Sequence, residues 1–384
     1  MQGIRSFLVE RLMSSNVDGS GTVSNEANVT TGSEWQQVEG ALWLQEAANA
    51  GASDLHVTPG GFLMARVDGR LVRRSEVRVP TDVAREFAQG LVGQGGWETL
   101  QQTGQVDVSF VLQDGLRCRV HAYRTNAGIS VTARIIPASV PDFHTLGLPR
   151  QVLNFIYQSQ GLALLTGPTG CGKSTTLAAL VNELNHSLPK HVVTLEDPIE
   201  FVFENDVALI EQREIGLHTQ SFQTGLRSAL RQVPDVIVVG EMRDLETIST
   251  AVTAAETGHL VLATLHAPDA AEAVHRIIDV FEPRQQAQIR TQLAGVLLGV
   301  VTQSLLPHAS GHGRVPVCDV LVNTSAVSNL IRTDKVHQLQ TAMQTGRQFG
   351  MQTMDMHREE LIRLGAITST QTAAQSVSAV GHTL

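Results

Sequence analysis

Gly167-Pro168-Thr169-Gly170-Cys171-Gly172-Lys173-Ser174-Thr175 is the stretch around which the rest of the chain makes sense. Its glycines, lysine and hydroxyl residues follow the spacing of a phosphate-binding loop. Gly167, Gly170 and Gly172 let the backbone curl so that successive N–H groups point inward at phosphate oxygens. Lys173 is placed to neutralise the β- and γ-phosphates, and the Ser174 hydroxyl to hold Mg²⁺. The flanks agree. Residues 161–166 form a short apolar run of buried-strand character, and from Ser174 to Leu184 apolar residues recur at helical spacing. The phosphates of a bound nucleoside triphosphate would therefore meet a helix N-terminus.

Outward from the loop, from about residue 146, apolar strands alternate with helices, the pattern of a parallel sheet covered on both faces. Strands are predicted at 161–166, 191–196, 235–240 and 259–265. Each ends in polar residues capable of chemistry: the loop itself, Glu196-Asp-Pro-Ile-Glu200, Gly240-Glu241, and Thr264-Leu-His266. Open α/β sheets bind ligands at the carboxyl ends of their strands. Glu241, delivered by the apolar run from Asp235, is suited to holding Mg²⁺ and orienting water. Glu196 and Glu200 flank Asp197-Pro198, and a positioned general base is expected from one of them; each alone also reads as a capping group. His266 falls at a strand end and suits sensing of the γ-phosphate, whereas His259, at the strand start, reads as structural. Arg227 and Arg231, at i and i+4 of a predicted helix, could stabilise charge on the transferred phosphoryl group. Arg124 and Arg134 could do so from the first domain. A surface salt bridge is the plainer reading of each arginine.

The totals narrow the class. A chain of 384 residues has room for two or three full cores. A net charge of −9 argues against sequence-blind nucleic-acid binding. Three distant cysteines exclude a zinc ribbon and point to a reducing compartment. No run is long enough to span a membrane and no secretory signal opens the chain, so a cytoplasmic protein without direct membrane insertion is expected. Residues 1–33 read as a flexible extension, with a short apolar stripe at 1–13 and a Ser/Gly-rich stretch at 14–33. Residues 34–137 read as a small α+β domain: a helix over 35–50, a helix near 81–92, and strands that include a hairpin at Asp68-Gly69 and another at Asp114-Gly115. Residues 138–145 read as a hinge-like linker marked by Pro137 and Pro141. The nucleotide core covers 146–306, with 285–306 read as helical. The remainder, 307–384, reads as mostly helical, with a strand at 315–322 and a mobile tail.

These motifs together resemble the secretion ATPase superfamily and, within it, the retraction motors of type IV pili. The likeness runs from about Ser53 to Ile367. It rests on Ser53-Asp-Leu-His56, Arg66-Val-Asp-Gly69, Glu196-Asp-Pro-Ile-Glu200, Gly240-Glu-Met-Arg-Asp244, Ala255-Glu-Thr-Gly-His259 through His266, and Gly350-Met-Gln-Thr-Met-Asp-Met356. The resemblance implies an α/β protein with a PAS-like amino-terminal domain and a RecA-like ATPase domain, assembled as a homo-hexamer. It implies ATP as substrate, Glu200 as general base, Glu241 for Mg²⁺ and water, and His266 as γ-phosphate sensor. It implies docking on an inner-membrane platform protein at the inner face of the membrane. A conjugation or secretion ATPase, and a regulatory ring paralogue with little hydrolysis, are the alternative readings. The chain departs from the retraction pattern at Ser328 and Thr333, where the family carries Arg and Glu on a helix tied to retraction.

Overall fold

The computed structural model describes residues 40–112, 115–136, 139–311 and 313–368. The extension 1–33, the start of the first predicted helix, Asp114, Pro137 and the tail from 369 lie outside the described residues. The chain is α/β and separates into two units, Met1–Ala138 and Ser139–Leu384.

The first unit begins with α1 (Gly40–Asn49), followed by β1 (Ala52–Val57), β2 (Phe62–Val67), β3 (Arg70–Arg78), α2 (Thr81–Thr103), β4 (Gln105–Val111), β5 (Arg117–Thr125) and β6 (Gly128–Ile136). Its sheet is antiparallel throughout, in the order β3-β2-β1-β6-β5-β4. Asp68 (φ 48°) and Gly69 (φ 79°) both take the left-handed conformation that a two-residue hairpin turn needs, and they pair Val67 with Arg70. Alternate residues of the strands, Val120 and Ala122 or Val131 and Ala133, face a core shared with Trp43, Leu44, Phe87 and Leu100 of the two helices. Trp43 stacks on Phe87 with ring centroids 5.1 Å apart. Helix α2 outruns the 81–92 reading. It breaks at Gly93 (φ 66°, ψ −179°) and continues to Thr103. Trp43 and Trp97 both pack in this unit's core, and no tryptophan follows residue 97 in the sequence.

The second unit runs β7 (Gly161–Thr166), α3 (Lys173–Ser187), β8 (His191–Glu196), β9 (Leu209–Glu214), α4 (Phe222–Ala229), β10 (Val236–Val239), α5 (Leu245–Glu256) and β11 (Leu260–Leu265). It continues with α6 (Ala270–Asp279), α7 (Pro283–Val296), β12 (Leu297–Pro307), β13 (Arg314–Val322), α8 (Ser325–Arg332), α9 (Leu339–Thr345) and α10 (Met354–Arg363). The sheet order is β13-β12-β7-β11-β10-β8-β9, parallel except for the β12–β13 edge pair. Its central strands are apolar without interruption because both faces are covered. Leu162, Leu164, Ile237, Val239, Val261 and Ala263 enter one core, and their neighbours Ala163, Leu165, Val236, Val238, Leu260 and Leu262 enter the other.

Two strands correct the reading of the sequence. The stretch 285–306 is not one helix: α7 ends at Val296 and the chain turns into strand β12. Asn323 closes the helix from outside, donating to the carbonyls of Ala294 (3.1 Å) and Leu297 (2.7 Å). At Gly299 a Cβ would collide with the Leu321 carbonyl and the Phe155 ring, so the new strand can approach both. Strand β9 carries charge at alternate positions on a sheet edge, which hid it from an apolar-run criterion. All three cysteines, Cys118, Cys171 and Cys318, are buried. Among the described residues no helix is long and apolar enough to cross a membrane.

Candidate nucleotide site

The loop between β7 and α3 is shaped by what stands behind it. Gly167 (φ 137°) and Gly172 (φ 91°) are both left-handed. A Cβ on Gly167 would strike the Gln303 backbone oxygen and the Cys171 sulfur, and one on Gly172 would lie 2.9 Å from Gln303 Nε2. No other residue type fits either position. Pro168, Thr169 and Gly170 form the exposed apex with Cys171 tucked beneath. Ser174 is exposed and Thr175 half-buried in the first turn of α3.

Lys173 is buried, and its Nζ donates to the carbonyls of Gly167 (2.8 Å) and Pro168 (2.9 Å). The same nitrogen stands 3.5 Å from His266 Nδ1. His266 Nε2 lies 3.2 Å from Glu241 Oε1, whose other oxygen accepts from Arg243. Lys173, His266 and Glu241 thus form one continuous line. The sheet register explains it: Thr166 pairs with Leu265 on β11, and Ala263 pairs with Val239 on β10, so three neighbouring strands end together. Between Glu241 and the helix that follows, Met242 is buried and Asp244 caps α5 by accepting from Thr247 N–H at 2.8 Å. That alternation leaves the Glu241 side chain on the site side.

The fourth strand end carries the acidic turn, with a cis peptide at Asp197-Pro198. Its two glutamates are not equivalent. Glu196 Oε1 accepts from Thr194 Oγ1 (2.7 Å) and Gln212 Nε2 (3.0 Å), and the Glu200 backbone N–H reaches the same carboxylate. Burial nonetheless raises the Glu196 pKa above the usual carboxylate value. Gln212 also donates to the Phe201 carbonyl (2.7 Å) and accepts from Phe203 N–H (3.0 Å), while Glu214 accepts from Ile199 N–H (3.2 Å). Strand β9 therefore holds the turn in place around a half-buried Glu200.

Other expected residues stand apart. Helix α4 ends at Ala229, so Arg231 lies beyond it, exposed, and the i, i+4 pairing is not formed. Arg227 is exposed and stands 4.0 Å from Glu246. In the first unit, Arg134 pairs with Asp54 (2.9 Å) and Arg124 with the Gln101 side chain (2.6 Å). His259 Nδ1 lies 3.0 Å from the Ala254 carbonyl, the structural place expected of it. Among the described residues no three His, Cys, Asp or Glu side chains cluster to hold a metal by themselves. The donor set instead suits a nucleotide with its cation: a loop shaped by glycines at 167 and 172, a hydroxyl at a helix start, and a carboxylate two strands away.

Residues 37–380 match the family described as type II/IV secretion system protein. The chain belongs to that family. It is 42% identical over 325 residues to the type IV pilus retraction ATPase PilT of Pseudomonas aeruginosa, covering 85% of this chain and 94% of that one. It is 43% identical over 304 residues to a twitching motility protein of Neisseria gonorrhoeae, covering 79% and 81%. Among solved structures it resembles the pilus retraction motor PilT with bound ADP, with a TM-score of 0.77, 41% identity, and coverage of 85% and 94%. It also resembles the Legionella pneumophila ATPase DotB, with a TM-score of 0.79, 28% identity, and coverage of 94% and 100%.

Within this secretion-system family member, Gln212, Arg243 and Gln303 are the site residues that the sequence did not single out. Gln212 and Gln303 act from strands that only the sheet pairing brings to the site, and Arg243 acts on Glu241 through the turn after β10. The departures at Ser328 and Thr333 also look different in place. Ser328 is half-buried and its hydroxyl donates to the Ala294 carbonyl (2.7 Å), while Thr333 donates to Asn329 (2.8 Å). Both hydroxyls satisfy backbone carbonyls, Ser328 from a half-buried place against the preceding helix and Thr333 from an exposed one at the end of its own. Asn329 and Arg332 share an exposed face, with Val327 and Ile331 buried behind.

Proposed function

We propose that this protein is an ATP hydrolase that drives retraction of a type IV pilus. The observation that carries the nucleotide chemistry is the line Lys173–His266–Glu241 beneath a loop only glycine can form. The pilus assignment rests on likeness to the retraction ATPase across nearly its whole length. Lys173 turns from the loop carbonyls to the β/γ-phosphates, and backbone N–H groups from Gly167 to Thr175 cradle them. Ser174 and Glu241 would hold Mg²⁺, which when bound neutralises phosphate charge. Glu200 takes the proton from the attacking water, because the Glu196 carboxylate is already engaged by three donors. His266, linking Lys173 to Glu241, reports occupancy at the γ-position to both.

In this reading the first unit is a PAS-like domain of 34–137, joined through 138–145 to a RecA-like core of 146–306 and a carboxy-terminal part of 307–384. Six copies form a ring docked on an inner-membrane platform protein from the cytoplasm. The ring matters because Arg227 stands by Glu246 and Arg231 lies exposed past the end of its helix, so a neighbouring copy would supply the arginine that meets transition-state charge. A second reading, an ATPase energising a secretion system, is favoured by the match to the family described as type II/IV secretion system protein. Deletion in the native host separates them: the retraction reading expects lost twitching with excess surface pili, and the secretion reading expects normal twitching with failed export. In vitro, Mg²⁺-dependent ATP hydrolysis should vanish in Lys173→Ala. Turnover at the wild-type level in that variant would refute the loop assignment.

A further inference from the structure

We infer that Gln303 of β12 is a positioning residue for nucleotide binding, holding the phosphate loop in its receptive shape. This rests on the loop assignment above. The Gln303 amide is buried and works in both directions: Nε2 donates to the Cys171 carbonyl (2.7 Å) and Oε1 accepts from Thr176 Oγ1 (2.8 Å). One side chain thus ties Cys171, beneath the loop apex, to the first turn of α3. Its backbone oxygen closes against Gly167, and its Nε2 blocks any side chain at Gly172, so Gln303 touches the loop at both ends. The strand beneath is clamped to the loop's own strand by a 2.8 Å bond between Thr302 and Thr166.

The loop has a second internal brace, the two carbonyl bonds of Lys173. That brace uses the cation that phosphate recruits. The Gln303 bonds use no group that the nucleotide needs, so they persist when Lys173 turns to its ligand. Neither Leu nor Glu can replace the pair: Leu leaves a buried carbonyl and hydroxyl without partners, and Glu accepts from Thr176 but cannot donate to Cys171. A loop that must be ordered on binding lowers affinity, whereas the chemistry at Glu200 and Glu241 is untouched.

The test is a fluorescence titration of a labelled ADP analogue against the full-length protein, with steady-state ATP hydrolysis and thermal unfolding in parallel. Gln303→Leu should weaken the analogue about tenfold, raise KM by a similar factor, and change kcat less than about threefold. Gln303→Glu should fall between Leu and wild type. Ser304→Ala, the next residue on the strand with its hydroxyl toward Met354 (3.6 Å), should bind as wild type. If both Gln303 variants keep wild-type affinity, or lower Tm without changing affinity, the positioning role is wrong. If kcat falls while affinity holds, Gln303 acts in the chemical step and the proposal fails equally. If wild type itself does not bind the analogue, the loop assignment has failed and this inference with it.

Discussion

Glu196 and Glu200 sit four residues apart on one turn and differ in what surrounds them. Glu196 is enclosed by Thr194, Gln212 and the Glu200 N–H, while Glu200 keeps its carboxylate for other work. Glu200→Gln should bind ATP yet hydrolyse it at least ~100-fold more slowly, as loss of a general base requires. Glu196→Gln keeps a carbonyl for the Thr194 and Gln212 donors and should cost less than ~10-fold. The reverse order of the two kcat values would move the base to Glu196. The residues by themselves named both carboxylates without ranking them, and only the family resemblance pointed to Glu200, because Gln212 meets Glu196 through strand pairing. Val233 shows a different residue-scale effect. It is 83% exposed and held at φ 55°, a left-handed conformation costly for a β-branched side chain. Val233→Asn should raise stability by roughly 0.5–1 kcal/mol in urea unfolding; a loss would show that the Val side chain has a contact worth more than the strain.

At the scale of elements, the last helix is fastened to edge strand β13 by a small polar clasp. Asp319 accepts from Met354 N–H, His357 Nδ1 accepts from Cys318 N–H (3.1 Å), and Gln352 exchanges backbone bonds with Val320. Burial, with Asp269 and Asp355 nearby, pushes the Asp319 pKa up to about 6, and burial lowers that of His357. The unfolded value of Asp319 is near 3.8. Between those limits the folded chain holds the proton more tightly, so this group makes stability fall as pH rises from about 4 to 6, with the cost complete above 6. The full cost is on the order of 3 kcal/mol. Asp319→Asn still offers an acceptor to Met354, so it should be more stable than wild type at pH 8 and lose that advantage toward pH 4, measured by denaturant unfolding at each pH. A pH-independent difference would mean that Asp319 is not the titrating group. Elements whose signal is local were legible in the sequence: the apolar central strands, the Asp68-Gly69 hairpin and the loop–helix junction. Strand β12 was not, because its Leu and Gln residues fit a helical period and the cap that ends α7 comes from Asn323. Strand β9 was not, because an edge strand needs apolar residues on one side only.

For the molecule as a whole, the arginines expected to meet transition-state charge are engaged or set apart within one chain. Arg243 is taken by Glu241, Arg227 stands by Glu246, and Arg231 lies past its helix. Light scattering with Mg²⁺ and nucleotide should therefore give the mass of six 41.4 kDa chains, closed as a ring. A stable monomer with full ATPase activity would contradict it. The partition into two units also has an optical consequence. Every tryptophan precedes residue 138, so the nucleotide unit is dark at indole wavelengths, while Trp43 and Trp97 sit with the core of the first unit and report on it. Proteins of more than one unit need not unfold in a single transition. Tryptophan emission and far-ultraviolet circular dichroism, followed through the same urea series, therefore read two different melting events from one unlabelled sample. Adding nucleotide should displace the dichroism curve further than the emission curve, because the ligand stabilises the unit that holds it.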